Sequence, residues 1–269
     1  MREAYRIELK NLQIRVGDRV LVSDAHLGLE SRWIVGLVGS SGSGKTLTAR
    51  ALSGLVDLEP GVVSAELTLH GPTQVLRPYQ GVLSQGQPAR DLAFRSIRGR
   101  WITYLPQDSR GALNPLWTVR RHLEVSAESP DTDLGAALTR VGFPNPRPVL
   151  RLYPHELSGG MAQRVAIAQA LLRGSRFLVA DEPTTALDPT LQLEVMDVLR
   201  AVVATGVGLL LITHDLRLLP DFADEVVVMD KGRVVERTGI QTLQDGGFEH
   251  PAARELLDAT RRIAAGRLG

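Results

Sequence analysis

Apolar and polar residues alternate at two places between positions 5 and 32. Leu12, Ile14 and Val16 alternate with polar neighbours in LQIRV, and Ala25, Leu27 and Leu29 do so in AHLGL. A period of two with one apolar face predicts short antiparallel strands. WIVGLV (33–38) breaks that rhythm. It is almost continuously apolar, as expected of a parallel strand buried on both faces. A glycine-rich loop follows, and a helix is predicted from about Lys45 to Leu52, stopping near Gly54. AELTL (65–69) alternates again, and WITYL (101–105) predicts another strand that leads into Pro106 and Gln107.

From about 108 to 157 the pattern changes. Prolines recur at 115, 130, 144, 146, 148 and 154, and short helical pieces such as LGAALTRVGF lie between them. This predicts a small helical subdomain inserted into a sheet domain. Beyond it, Met161, Val165, Ala168 and Leu172 fall on one helix face that ends at Gly174. FLVA (177–180) and VGLLLI (207–212) predict buried strands on either side of a helix at about 190–204. EVVVMD-KG-RVVE predicts a closing hairpin with Lys231-Gly232 at its turn, and 237–269 a partly helical tail. Strands alternating with helices around continuously apolar strands indicate a mostly parallel sheet. No internal repeat or low-complexity tract is present.

Composition narrows the function classes. The 269 residues are 43% hydrophobic and 23% charged, ordinary for a soluble globular protein of this length. With 31 basic and 30 acidic residues the net charge is +1, which argues for neither nucleic acid nor an anionic membrane. Arginines gather between Arg90 and Arg121, read here as a solvated helical surface. The absence of cysteine excludes disulfides, thiolate zinc sites and iron–sulfur clusters, and fits a reducing compartment. No apolar run approaches the roughly 18 residues needed to span a bilayer. MREAYRIELK lacks the apolar stretch of a signal peptide, so a membrane role implies that another chain holds this one there.

Three stretches carry chemistry. GSSGSGKT (39–46) fits G-x-x-x-x-G-K-[ST] between a strand and a helix. In such a loop the residues Gly39, Ser40, Ser41, Gly42, Ser43 and Gly44 wrap a phosphate chain with backbone N–H groups. Lys45 would then bridge the β and γ phosphates, and the Thr46 hydroxyl would reach Mg²⁺. FLVADE (177–182) ends an apolar strand in Asp181, a carboxylate able to hold Mg²⁺. Glu182 is placed to orient or deprotonate an attacking water. LSGGMAQR (157–164) puts Ser158, Gly159 and Gly160 at the start of a helix. Glycines disfavour a helix interior by roughly 1 kcal/mol each, but at a helix start they bare N–H groups suited to an anion.

GSSGSGKT, LSGGMAQR, FLVADEP, TTALDP and LITHD occur in the order found in the ATP-binding-cassette family, which the chain closely resembles over nearly its whole length. The resemblance implies an α/β fold: a P-loop NTPase (RecA-like) core with an N-terminal antiparallel β subdomain and an inserted α-helical subdomain. One ABC ATPase domain is expected overall. Its core would comprise 1–107 and 159–236, its helical subdomain 108–158 and its C-terminal tail 237–269. The cofactors implied are ATP and Mg²⁺, the metal held by Thr46, Gln107 and Asp181. Glu182, His214 and Gln107 match the family's catalytic positions: Gln107 contacts metal and water, and His214 the γ-phosphate. Ser158, Gly159 and Gly160, with Asp188 of the ALD loop, would complete in trans a site whose ATP is bound to a second cassette. One position departs from the pattern. Where the family stacks adenine on an aromatic residue, this chain has Val16.

QDSRGALNPLWTVRRHL (107–123), LYPHELSGGMAQRVAIAQAL and HPAARELLDA (250–259) resemble the peptide/nickel importer branch. SGSGKTLTARALSGL and the missing aromatic lean towards its nickel or metal-chelate members. The partners so implied are a second, related but non-identical ATPase subunit, transmembrane permease subunits and, indirectly, a solute-binding protein. No nucleic acid is expected. The place of work would be the cytoplasmic face of the inner membrane, held peripherally. Two other readings stay open: a soluble cassette protein acting on DNA or ribosomes, and an exporter ATPase. The remaining histidines, His26, His70, His122, His155 and His250, are given no role in the site.

Overall fold

A computed structural model describes residues 5–185 and 187–266. Residues 1–4 of the expected core, Ala186 of TTALDP and 267–269 of the tail lie outside the described residues. In chain order the elements are β1 (Arg6–Val16), β2 (Arg19–Glu30), β3 (Ile34–Gly39), α1 (Lys45–Leu52), β4 (Pro60–His70), β5 (Val75–Leu76), α2 (Gln87–Phe94) and β6 (Ile102–Leu105). Then come α3 (Val119–Glu124), α4 (Leu134–Arg140), α5 (Pro146–Val149), α6 (Gly159–Leu172), β7 (Phe177–Asp181), α7 (Pro189–Ala204) and β8 (Gly208–Ile212). The hairpin β9 (Glu225–Asp230) and β10 (Arg233–Gly239) and the helices α8 (Ile240–Asp245) and α9 (Pro251–Gly266) close the chain.

The N-terminal strands are two long ones rather than several short ones. β1 pairs antiparallel with β2 and β4, and its register shifts between Leu9 and Leu12, where Asn11 takes a φ of 53°. That bulge moves the inward-facing residues from odd positions (Ile7, Leu9) to even ones (Leu12, Ile14), so the period of two shows only in fragments. The resulting sheet has the order β2-β1-β4-β5.

The second sheet has the order β10-β9-β3-β8-β7-β6, parallel throughout except for the edge strand β10. Every residue of β3, β7 and β8 is buried. Their side chains alternate between two cores. Leu210 and Ile212 face the core shared with the antiparallel sheet and α1, whereas Leu209 and Leu211 face the core shared with the helices. Both faces being covered, these strands read as continuous apolar runs, interrupted in β7 by Asp181 at its carboxyl end.

The segment between β6 and α6 holds α3, α4, α5 and no strand, and Leu123, Leu138, Val149 and Leu157 pack into one core with α6 and α7. α6 is less one-sided than its spacing suggested. Ala162, Val165, Ile167, Ala168 and Ala170 are all buried, while Met161 and Leu172 are only half-buried. The tail docks rather than trails: Leu243, Phe248, Ala253 and Leu257 join the helical core. The Glu236 carboxylate accepts from the backbone N–H groups of Glu249 and His250, each at 3.0 Å.

The arginine-rich stretch is only partly solvated. α2 was not foreseen, and its Arg90 is buried, Nη1 donating to the carbonyls of Pro60 (3.3 Å) and Val62 (3.0 Å). Arg98 donates to the carbonyls of Ser53 (2.9 Å) and Gly54 (2.7 Å). These side chains hold α2 and its flanks against β4 and the end of α1. Their partners are backbone carbonyls, which a charge count does not reveal.

Candidate active site

The loops that follow β3, β6, β7 and β8 all leave the same edge of the parallel sheet. In open α/β sheets the carboxyl ends of the strands form the ligand crevice. The loop after β3 carries three glycines with positive φ, Gly39, Gly42 and Gly44. At Gly39 (φ 153°) a Cβ would run into the Met229 carbonyl, and Gly44 (φ 101°) turns the chain into α1. The next residue, Lys45, is thereby tucked under the loop. Its Nζ donates to the carbonyls of Gly39 and Ser40, both at 2.9 Å, and Ser43 Oγ lies at 3.5 Å. Burial pushes the Lys45 ammonium below the usual lysine range. The Glu182 and Asp181 carboxylates oppose that shift without cancelling it.

Thr46, one residue on, donates its hydroxyl to Asp181 Oδ1 at 3.2 Å. The other oxygen, Oδ2, accepts from the Tyr104 hydroxyl at 2.6 Å. Asp181 is 3% exposed, yet both hydroxyl donors are neutral. Burial, then the bond to Asp181, raises the Tyr104 phenol well above its ordinary range, so it stays a donor. This donor set suits Mg²⁺: a hydroxyl and a carboxylate, both hard oxygen ligands, on a buried strand end. Among the described residues no group of three acidic or histidine side chains converges.

Glu182 is half-buried; its Oε2 accepts from Thr185 Oγ1 at 2.9 Å and Gln107 Nε2 at 3.4 Å, and His214 Nδ1 stands 3.4 Å from the same oxygen. Lys45, Thr46, Gln107, Glu182 and His214 line a single cleft of about 950 Å³ together with Ser41, Gly42 and Gly44. Arg19, Val20 and Leu21 from β2 and the Lys231-Gly232 turn line it too. Val16 does not line the cleft. It sits 40% exposed at the end of β1, paired across the turn with Arg19.

Ser158, Gly159, Gly160 and Asp188 form a second group. Ser158 Oγ accepts from Met161 N–H at 3.2 Å and so caps α6. Asp188 caps α7, accepting from Thr190 N–H (3.0 Å) and Leu191 N–H (3.1 Å). The two helix starts adjoin, since a Cβ on Gly159 or Gly160 would touch Leu187 or Leu191. None of the four lines the cleft of its own chain. Tyr104 and Thr185 were not picked out from sequence. Their spacing, three residues before Gln107 and three after Glu182, becomes a signal only once the strand ends are known to converge.

The cleft is shaped for a chain of phosphates, with a cationic head under a backbone cradle and oxygen donors for a metal beside it. That defines a P-loop nucleoside triphosphatase. The ABC transporter family profile matches residues 22–185, and the chain belongs to that family, whose ATP-binding subunits are ATPases. It is similar to the nickel import ATP-binding protein NikD of Brucella suis biovar 1 (strain 1330), 36% identical over 252 residues that cover 90% of this chain and 88% of that one. A putative peptide import ATP-binding protein of Brucella abortus (strain 2308) is 34% identical over 258 residues, 93% of this chain and 74% of that one. Among solved structures, an ATP-binding subunit of an ABC transporter superposes with a TM-score of 0.70 at 23% identity, covering 95% and 99% of the two chains. A bacterial Atm1-family ABC exporter with ATP bound gives 0.68 at 21% identity, over 95% of this chain and 42% of that one. These two likenesses are to the fold.

Proposed function

We propose that the chain is the energy-coupling ATPase of an importer for nickel or a metal chelate, working as one of two cassettes beneath a membrane permease. The observation that carries this is the separation just described. Lys45, Thr46, Gln107, Glu182 and His214 share one cleft, while Ser158, Gly159, Gly160 and Asp188 lie outside it. Bare helix-start N–H groups with no anion of their own chain to serve are suited to a nucleotide held by a neighbour. The nickel lean follows the NikD likeness and the residues SGSGKTLTARALSGL. The likeness to a peptide import protein supports di- or oligopeptide as a second reading.

In the proposed cycle Gly39–Thr46 cradle the triphosphate, and Lys45 neutralises charge at its end. Bound Mg²⁺, held by Thr46, Asp181 and Gln107, would neutralise charge on the phosphates. Glu182 takes a proton from the attacking water, and His214 contacts the γ-phosphate. Ser158–Gly160 of the second cassette close over the same phosphate. Closure carries the α3–α5 segment with it, and loss of the γ-phosphate releases the pair, the logic common to nucleotide switches. The second cassette is a related, non-identical ATPase, and the solute-binding protein acts through the permease. Among the described residues no helix is long and apolar enough to cross a membrane. We place the chain peripherally on the cytoplasmic face, held by the permease.

Co-purification tests this reading. Recovery of the chain with an integral permease and a second cassette, with ATPase stimulated by a nickel- or chelate-loaded binding protein, supports it. Stimulation by peptide-loaded binding protein alone moves the substrate to the second reading. Recovery with ribosomes or DNA and no permease overturns it.

A further inference from the structure

Glu182 leaves β7 with a φ of 48°, a left-handed conformation uncommon for a glutamate. Its backbone N–H donates to the Ile212 carbonyl at 3.0 Å, which fixes where the side chain starts. Where the side chain ends is set by its partners, and all of them meet at one oxygen. Thr185, Gln107 and His214 approach Oε2, and among the described residues nothing is hydrogen-bonded to Oε1.

The three partners are not equivalent. Gln107 and His214 come from the loops after β6 and β8, are exposed, and stand 3.4 Å away. Thr185 belongs to the same turn as Glu182. Its backbone N–H donates to the Glu182 carbonyl at 3.1 Å, and its hydroxyl donates to Oε2 at 2.9 Å. The turn is braced from α7, where the Gln192 amide donates to the carbonyls of Thr184 (3.3 Å) and Leu187 (3.2 Å). Thr185 is therefore the partner from Glu182's own turn, whereas the other two belong to separate loops.

We propose that Thr185 is a positioning residue that ties down Oε2 and so assigns Oε1 as the oxygen that takes the proton. In the step so served, a water O–H bond breaks and its proton goes to Oε1. The water oxygen bonds the γ-phosphorus, and the bond from that phosphorus to the β-bridging oxygen breaks, its electron pair leaving with ADP. The inference rests on Glu182 being the base. A free carboxylate rotates about its last torsion, a broad two-fold well, so both oxygens share every role. One fixed hydroxyl removes that freedom.

The test uses Thr185→Val, which keeps the shape and loses the hydroxyl, and Thr185→Ser, which keeps the hydroxyl. Both are studied in the complex with the second cassette. Thr185→Val is expected to lower kcat about 10- to 100-fold, within the range of general-base effects. KM, ATP affinity read with a fluorescent ATP analogue, and the thermal midpoint should be unchanged. Thr185→Ser should stay within about threefold of wild type. In a Glu182→Gln background Thr185→Val should have no further effect, because it acts through the carboxylate. Wild-type kcat in Thr185→Val beside an inactive Glu182→Gln overturns this inference alone. Wild-type turnover in Glu182→Gln overturns the base assignment itself. Loss of ATP affinity or thermal stability in Thr185→Val, not rescued by serine, shows a merely structural residue and also overturns it.

Discussion

Tyr104→Phe removes one hydroxyl from a carboxylate that has few alternatives. Asp181 is 3% exposed, and its oxygens are bonded to Thr46 and Tyr104. The Tyr104 bond is the shorter, at 2.6 Å against 3.2 Å, and its acceptor is charged. Hydrogen bonds to charged groups contribute about 1.5–3 kcal/mol, and neutral ones about 1 kcal/mol. Phenylalanine fills the same space, so no cavity term is added, and the expected loss is about 2 kcal/mol. For a chain of this size that corresponds to a thermal midpoint lower by about 4–8 °C. Tyr79→Phe is the control. Its hydroxyl donates at the same 2.6 Å, but to the neutral Ala51 carbonyl, so about half the loss is expected. Urea denaturation of both variants without nucleotide, followed by circular dichroism, reads the two differences. A Tyr104→Phe loss below about 0.5 kcal/mol, or one smaller than that of Tyr79→Phe, would refute the claim that the aspartate depends on this bond.

Other substitutions probe the remaining parts of the site. Glu182→Gln should keep ATP binding and lower turnover about 10²- to 10⁴-fold in a steady-state phosphate-release assay; undiminished hydrolysis removes it from catalysis. Ser158→Arg should leave ATP affinity intact and block pairing, seen as a failure to form the ATP-dependent dimer on size exclusion; normal pairing counts against a role in trans. Lys45→Met should abolish ATP binding in a fluorescence titration, since it removes the cationic head held under the loop; undiminished affinity would take the ammonium out of phosphate binding. Val16 lies off the cleft and carries no ring to stack on a base, so wild type should bind ATP and GTP comparably in the same titration. A strong wild-type preference for ATP would place base recognition elsewhere on the cleft wall.

The parallel strands and the phosphate loop were legible because their constraints are local. β3, β7 and β8 are buried on both faces, so their composition announces them, and Gly39 and Gly44 need positive φ whatever surrounds them. β1 was legible only in fragments because the bulge at Asn11 shifts the phase of its pattern. α2 is hard to read because QPARDLAF is short and its helically spaced Leu92 is exposed, while what holds it is Arg90 reaching carbonyls 28 to 30 residues away. Tyr104 and Thr185 were missed for a related reason. Each acts by touching a carboxylate on another element or across a turn, and a string of residues records spacing, not convergence. Val16 shows the opposite limit: its place in the pattern was readable, but the cleft wall is made by Arg19, Val20 and Leu21 on the neighbouring strand.

The most direct measurement is ATP hydrolysis per chain across a dilution series, with the oligomeric state read in the same samples by light scattering. If Ser158–Gly160 serve a neighbour's nucleotide, the rate per chain falls with the paired fraction and vanishes where only single chains remain. A rate per chain that holds steady into the monomeric range would contradict the account.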